Sequence, residues 1–83
     1  MGIVNGGTLT ITGTTTLTGS SRIRVCEGGT LIVDGGVLQN ADITLVPGST
    51  IIVRNNGKIY MATGKSFEAP TGVVVNIERG EIH

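Results

Sequence analysis

Apolar residues along this chain recur at every second position over short runs, and each run soon meets a glycine or an asparagine. Leu9/Ile11, Leu31/Val33, Ile51/Val53 and Val73/Val75 are spaced in this way, as are Ile23/Val25 and Ile43/Leu45. A period of two is that of a strand with one buried face, so these side chains are expected to point inward. Between the runs lie Gly-Gly, Gly-Ser, Asn-Asn-Gly and Pro-Gly, which tolerate positive φ or preset a turn dihedral, as a sharp corner requires. The pattern predicts strands over 8–12, 14–18, 22–26, 30–34, 37–39, 42–46, 50–54, 58–61, 65–68 and 73–77, and no helix.

The runs also repeat. Gly6-Gly7-Thr8-Leu9 returns as Gly28-Gly29-Thr30-Leu31 and as Gly48-Ser49-Thr50-Ile51, at spacings of 22 and 20 residues. A fainter fourth copy at Thr71-Gly72-Val73 places Val73 in the column of Leu9, Leu31 and Ile51. Gly13, Gly35 and Gly57 form a second column, with Gly80 one residue beyond the next position, and Ile3, Val25, Leu45 and Phe67 form an apolar third. Two-residue turns such as Gly35-Gly36 and Asn56-Gly57 also suit hairpins in an antiparallel sandwich. Hairpins, however, give no reason for the same residue types to return every 20 to 22 positions, whereas stacked coils place them one above another. The expected fold is all-β: a right-handed parallel β-helix (solenoid) of about 3.5–4 coils, with some 22 residues and three short strands per coil, in one domain spanning residues 1–83.

Through Gly6-Gly7-Thr8-Leu9-Thr10-Ile11-Thr12-Gly13 and Gly28-Gly29-Thr30-Leu31-Ile32-Val33-Asp34-Gly35-Gly36, the chain resembles the right-handed parallel β-helix segments of bacterial secreted and surface proteins. The likeness covers nearly the whole chain. Adhesins, polysaccharide-acting enzymes and other exported proteins share it, so it implies a fold and a location rather than an activity.

Composition agrees with a narrow core. Tyr60 and Phe67 are the only aromatic residues, so the interior must be filled by thin β-branched side chains. Six basic and six acidic residues cancel, which leaves no field to draw nucleic acid or an anionic membrane, and no run of apolar residues is long enough for membrane insertion. The single cysteine, Cys26, excludes an intramolecular disulfide and a thiolate metal cluster. Low charge with abundant Thr and Gly points to an exported protein, extracellular or at the cell surface.

A solenoid enzyme acting on acidic polysaccharide needs carboxylates converging on one outer face, or carboxylate-held calcium beside an Arg or Lys base. Aligning the coils instead sets Asp34 beside Arg54 and Arg22 beside Asp42, the pattern of ion pairs between coils. Glu68, Glu78 and Glu81 gather in the last coil with Arg79 among them, which reads as a solvated edge. His83 is terminal and has no evident partner, and Cys26 aligns with Val4 and Val46 as a packing residue. Asn5, Asn40, Asn55, Asn56 and Asn76 are expected at or near turns. Thr8, Thr10 and Thr12, with Thr14, Thr15, Thr16 and Thr18, raise the idea of an ice-ordering face. Thr10 is followed in its column by Ile32 and Ile52, and Thr12 by Asp34 and Arg54, so only Thr8, Thr30 and Thr50 make a continuous row.

The apolar pattern starts and stops in mid-coil without a polar cap, from Ile3 at one end to Ile82 at the other. Such a chain is either a segment of a longer solenoid or one whose ends pair with other copies. The expectation is a structural or adhesive scaffold, not an enzyme, with no catalytic, cofactor or metal residues. Its first expected partner is itself, end to end, and its second is polysaccharide. The alternatives are a non-catalytic fragment of a β-helix carbohydrate-active enzyme and a sugar-binding module, whose exposed aromatic platform only Tyr60 could supply.

Overall fold

The computed structural model describes residues 2–18 and 21–83 and, within Gly2–Val4, the backbone alone. Eleven strands form: β1 (Gly2–Val4), β2 (Thr8–Ile11), β3 (Thr14–Thr16), β4 (Ile23–Val25), β5 (Thr30–Asp34), β6 (Val37–Ala41), β7 (Ile43–Leu45), β8 (Thr50–Arg54), β9 (Lys58–Met61), β10 (Val74–Glu78) and β11 (Glu81–Ile82). Among the described residues there is no helix. The strands stack in three sheets, ordered β1-β4-β7, β10-β8-β5-β2 and β11-β9-β6-β3, and every pairing is parallel. The chain is therefore a β-solenoid: β1–β3, β4–β6 and β7–β9 are successive coils, and β10 and β11 begin another.

The alternation read from the sequence builds the core. In β5 and β8 the buried positions are Leu31, Val33, Ile51 and Val53, and the residues between them face outward. Ile23, Val25, Ile43 and Leu45 fill the first sheet's inner face, and Leu38, Ala41 and Ile59 fill the third's. Each wall thus contributes a stack of one or two aliphatic columns, and full burial of each such side chain is worth about 1.5–3 kcal/mol. Aliphatic columns suffice here because the three walls are close enough for their inner side chains to meet as a single cluster.

Four columns differ from the sequence reading. Every copy of the glycine-led repeat opens on a glycine with left-handed φ, at Gly6 (72°), Gly28 (80°), Gly48 (92°) and Gly72 (96°). Gly72 therefore matches Gly48, and the residue stacked on Ile51 is Val75 rather than Val73. The corner column is Gly13, Gly36, Gly57 and Gly80, not Gly35, because Val37, Lys58 and Glu81 each donate an N–H to the carbonyl of Gly13, Gly36 and Gly57 respectively. The bulge in β6 accounts for one drift in period: Leu38 faces Ile59 but Ala41 faces Met61, so one residue is absorbed around Asn40, whose φ is 56°. In the first sheet Val4, not Ile3, is the partner of Val25, so Val4 does not share the register of Cys26. The inward column expected to start at Ile3 concerns a side chain outside the described residues.

Residues 65–68 form no strand. The chain from Ala62 to Val73 runs through turns, closed by the Lys65 N–H to Ala62 (2.9 Å) and the Val73 N–H to Pro70 (3.1 Å). Phe67 still packs partly against the core, but without a ladder to β7. Pro70, shortly after it, offers no N–H for pairing. Conversely, β1 and β11 are strands outside the ranges that the alternation predicts.

Candidate functional site

Charged side chains line the outer faces in rows that follow the coils. On the second sheet Asp34, Arg54 and Glu78 are register partners. Arg54 Nη2 donates to Asp34 Oδ2 at 3.3 Å, and Asn55 Nδ2 donates to Asp34 Oδ1. Asn55 reaches the carboxylate from the corner, where its own φ of 53° turns the backbone. The Asn55 amide, and after it the Arg54 guanidinium, holds the Asp34 carboxyl below its ordinary value against a partial loss of hydration. The Asp34–Arg54 pairing was legible in the sequence. The amide was not, because it depends on a left-handed residue between strands.

Asp42 lies 3.8 Å from Arg22 Nε, as expected, and also 3.7 Å from Lys65 Nζ, which the 62–73 excursion brings back over the first sheet. Lys58 Nζ is 3.8 Å from Glu81 Oε2 across β9 and β11. His83 is better placed than its terminal position suggested. Its N–H donates to the Ile59 carbonyl at 2.7 Å, its own carbonyl accepts from Met61 at 2.8 Å, and its Nε2 is 3.1 Å from Glu81 Oε1. Its ring stacks on Tyr60, with centroids 4.9 Å apart and planes 11° from parallel. That stack covers one face of the Tyr60 ring, a face that a pyranose would otherwise use.

In all three rows the carboxylate with a close charged neighbour faces a basic side chain. Among the described residues no group of three or more His, Cys, Asp or Glu is placed to hold a metal ion. Glu68 lies apart, lining a half-open cleft of about 140 Å³ with Ile43, Thr44, Leu45 and Pro70, where the irregular segment passes β7. Pockets for small organic ligands run to roughly 300–1,000 Å³, so this cleft is small for one. Cys26 is half-buried and free, in a turn closed by the Gly29 N–H to its carbonyl. Thr8, Thr30 and Thr50 stack in register as read, and the row ends at Val74. Asn40, Asn55 and Asn56 take left-handed φ, whereas Asn76 lies inside β10.

The most unusual surface is the end of the solenoid. β10 continues the second sheet, so Val75 and Ile77 extend the columns of Ile51 and Val53. Ile51 and Val53 are fully buried, yet Val75 and Ile77 are 39% and 47% exposed. Covering each of these two would gain on the order of 1 kcal/mol. β10 and β11 are also the last strands of their sheets, so their outer N–H and C=O groups have no strand partner among the described residues. The edge formed by β10 and β11 combines two core columns, a ladder with no strand partner among the described residues, and a rim bearing Glu78, Glu81 and Arg79. No family model matches this chain, and comparisons with curated proteins and with solved structures returned no match either, so its likeness to parallel β-helices rests on its repeat and its coils.

Proposed function

We propose that this β-solenoid is a structural segment of an exported protein, a rigid rod or display surface that associates with further copies through its open ends and performs no catalysis. The observation that carries this reading is the exposure of Val75 and Ile77 in columns whose other members form the core. A side chain of the core series left in water at a sheet edge is what a docking surface requires. The outer faces support the same reading: their charges are matched between neighbouring coils, which favours a stiff, evenly solvated wall over a reactive cleft. Low charge and abundant Thr and Gly favour an extracellular or cell-surface setting. The covered face of Tyr60 weighs against a sugar-stacking role.

Sedimentation velocity over a concentration series tests this reading. The unaltered chain is expected to shift to larger species as concentration rises, and Val75→Lys, which places a charge on the open end, to stay at the monomer mass of 8.5 kDa. Equal association by both proteins would remove the open end from the interface.

A further inference from the structure

The corner glycines indicate what the first coil is built to rest on. A Cβ at Gly36 would stand 2.7 Å from the Ile11 carbonyl oxygen and 2.8 Å from that of Gly13. One at Gly57 would meet the Val33 carbonyl oxygen at 2.5 Å, and one at Gly80 the Val53 carbonyl oxygen at 2.7 Å. In each case the crowding atom belongs to the coil before, at the positions Ile11, Val33 and Val53 of one inner column. Gly13 occupies the same column position, yet a Cβ there would meet nothing within 4 Å. Its φ lies outside the left-handed region, unlike that of Gly6, so turn geometry does not call for glycine either. The feature that makes glycine necessary at this corner is a coil beneath it, and the next member of the crowding column is Ile77, on the exposed end of the chain.

We infer that the end-to-end association proposed above is head-to-tail: the β10–β11 end of one copy seats against the β2–β3 edge of a second, in the register that joins coils within the chain. Continuing that register brings Val75 onto Leu9 and Ile77 onto Ile11 of the second copy, with the Ile77 carbonyl under its Gly13. Both surfaces are free sheet edges, since β2 and β3 stand at the opposite ends of the sheets that β10 and β11 close. Charge permits the same pairing. Glu68, Glu78 and Glu81 lie in the last coil with Lys65 and Arg79, whereas residues 2–18 include no charged side chain, so a tail meets no like charge on a head. A heterologous contact of this kind does not close on itself, so it builds stacks rather than stopping at a dimer.

This inference rests on the association reading, and two variants separate their fates. Gly13→Ala blocks only the head, and Val75→Lys blocks only the tail. Both should fold, since the added Cβ enters open space and Val75 is already at the rim; thermal unfolding verifies this, and Ile77→Lys replaces Val75→Lys if the latter unfolds. Gly36→Ala is the control that should destabilise the coil itself. By native mass spectrometry and light scattering the unaltered chain should form species beyond a dimer. Each variant alone should associate at least about tenfold more weakly, the fold-change of about 1.4 kcal/mol that overpacking at Gly13 or an unpaired charge at Val75 produces. An equimolar mixture should recover association and stop at a heterodimer, because each partner retains the surface the other lacks. If Gly13→Ala assembles as well as the unaltered chain while Val75→Lys does not, the contact is tail-to-tail and the head-to-tail inference is overturned. If the unaltered chain stays monomeric throughout, the association reading fails with it.

Discussion

Asp34 shows how much a single corner residue sets. Its carboxylate accepts from Asn55 and Arg54, and the first of these lowers its pKa the most. Asn55→Gly keeps the left-handed φ and removes only the amide, so the Asp34 pKa should climb back toward 3.8, as followed by NMR titration of the carboxyl. An unchanged pKa would assign the shift to Arg54. Because the folded value is depressed, the stabilisation exists above the ordinary carboxylate range and is lost as pH falls through the folded value. At this scale a partner that lies one coil away in the same column is legible in the sequence, as with Asp34 and Arg54 or Arg22 and Asp42. A partner that depends on an unusual dihedral or on chain returning from elsewhere leaves no such signal, as with Asn55, Lys65 and His83.

Strands and turns of the solenoid follow two rules that compete in the sequence. Alternation identifies a strand but leaves its register free by two residues, and the glycine with left-handed φ fixes that register. Matching Thr71-Gly72 to Gly-Thr instead of matching Gly72 to Gly48 shifted the last strand by two, which kept its inward face and misplaced its partner. Residues 65–68 were the harder case, because an apolar residue at the right spacing is present but the ladder is not. Phe67 there acts as a plug. Phe67→Ala should cost about 1–2 kcal/mol in chemical denaturation, below the usual 3–5 for a fully buried ring because this one is only partly covered. A loss of less than about 0.5 kcal/mol would mean that the excursion adds little to the core, and the value falls within the scatter of surface substitutions.

At the scale of the whole fold, the described coils finish in two edges of different chemistry. The first coil is uncharged and threonine-rich, with Thr15 rather than an aliphatic residue stacked on Leu38. The last presents Val75 and Ile77 beside Glu78, Arg79 and Glu81. An open edge of this kind is a hazard for a free monomer and an asset for a rod built of repeated units. Each further unit would extend the second and third sheets at about 4.8 Å per coil.

The direct test of the open end as a docking surface is backbone amide exchange, read residue by residue at low and high protein concentration. Thr30, Thr50 and Val74 donate their N–H groups to the coil before them, through Gly7, Gly29 and Ser49. Alternate residues of a parallel ladder face opposite neighbours, so the N–H groups of Val75 and Ile77 point off the open edge. They should exchange fast in dilute solution and slow markedly on concentration, while Ile51 and Val53 stay protected in both. Fast exchange at Val75 and Ile77 at every concentration would contradict the docking role of this end.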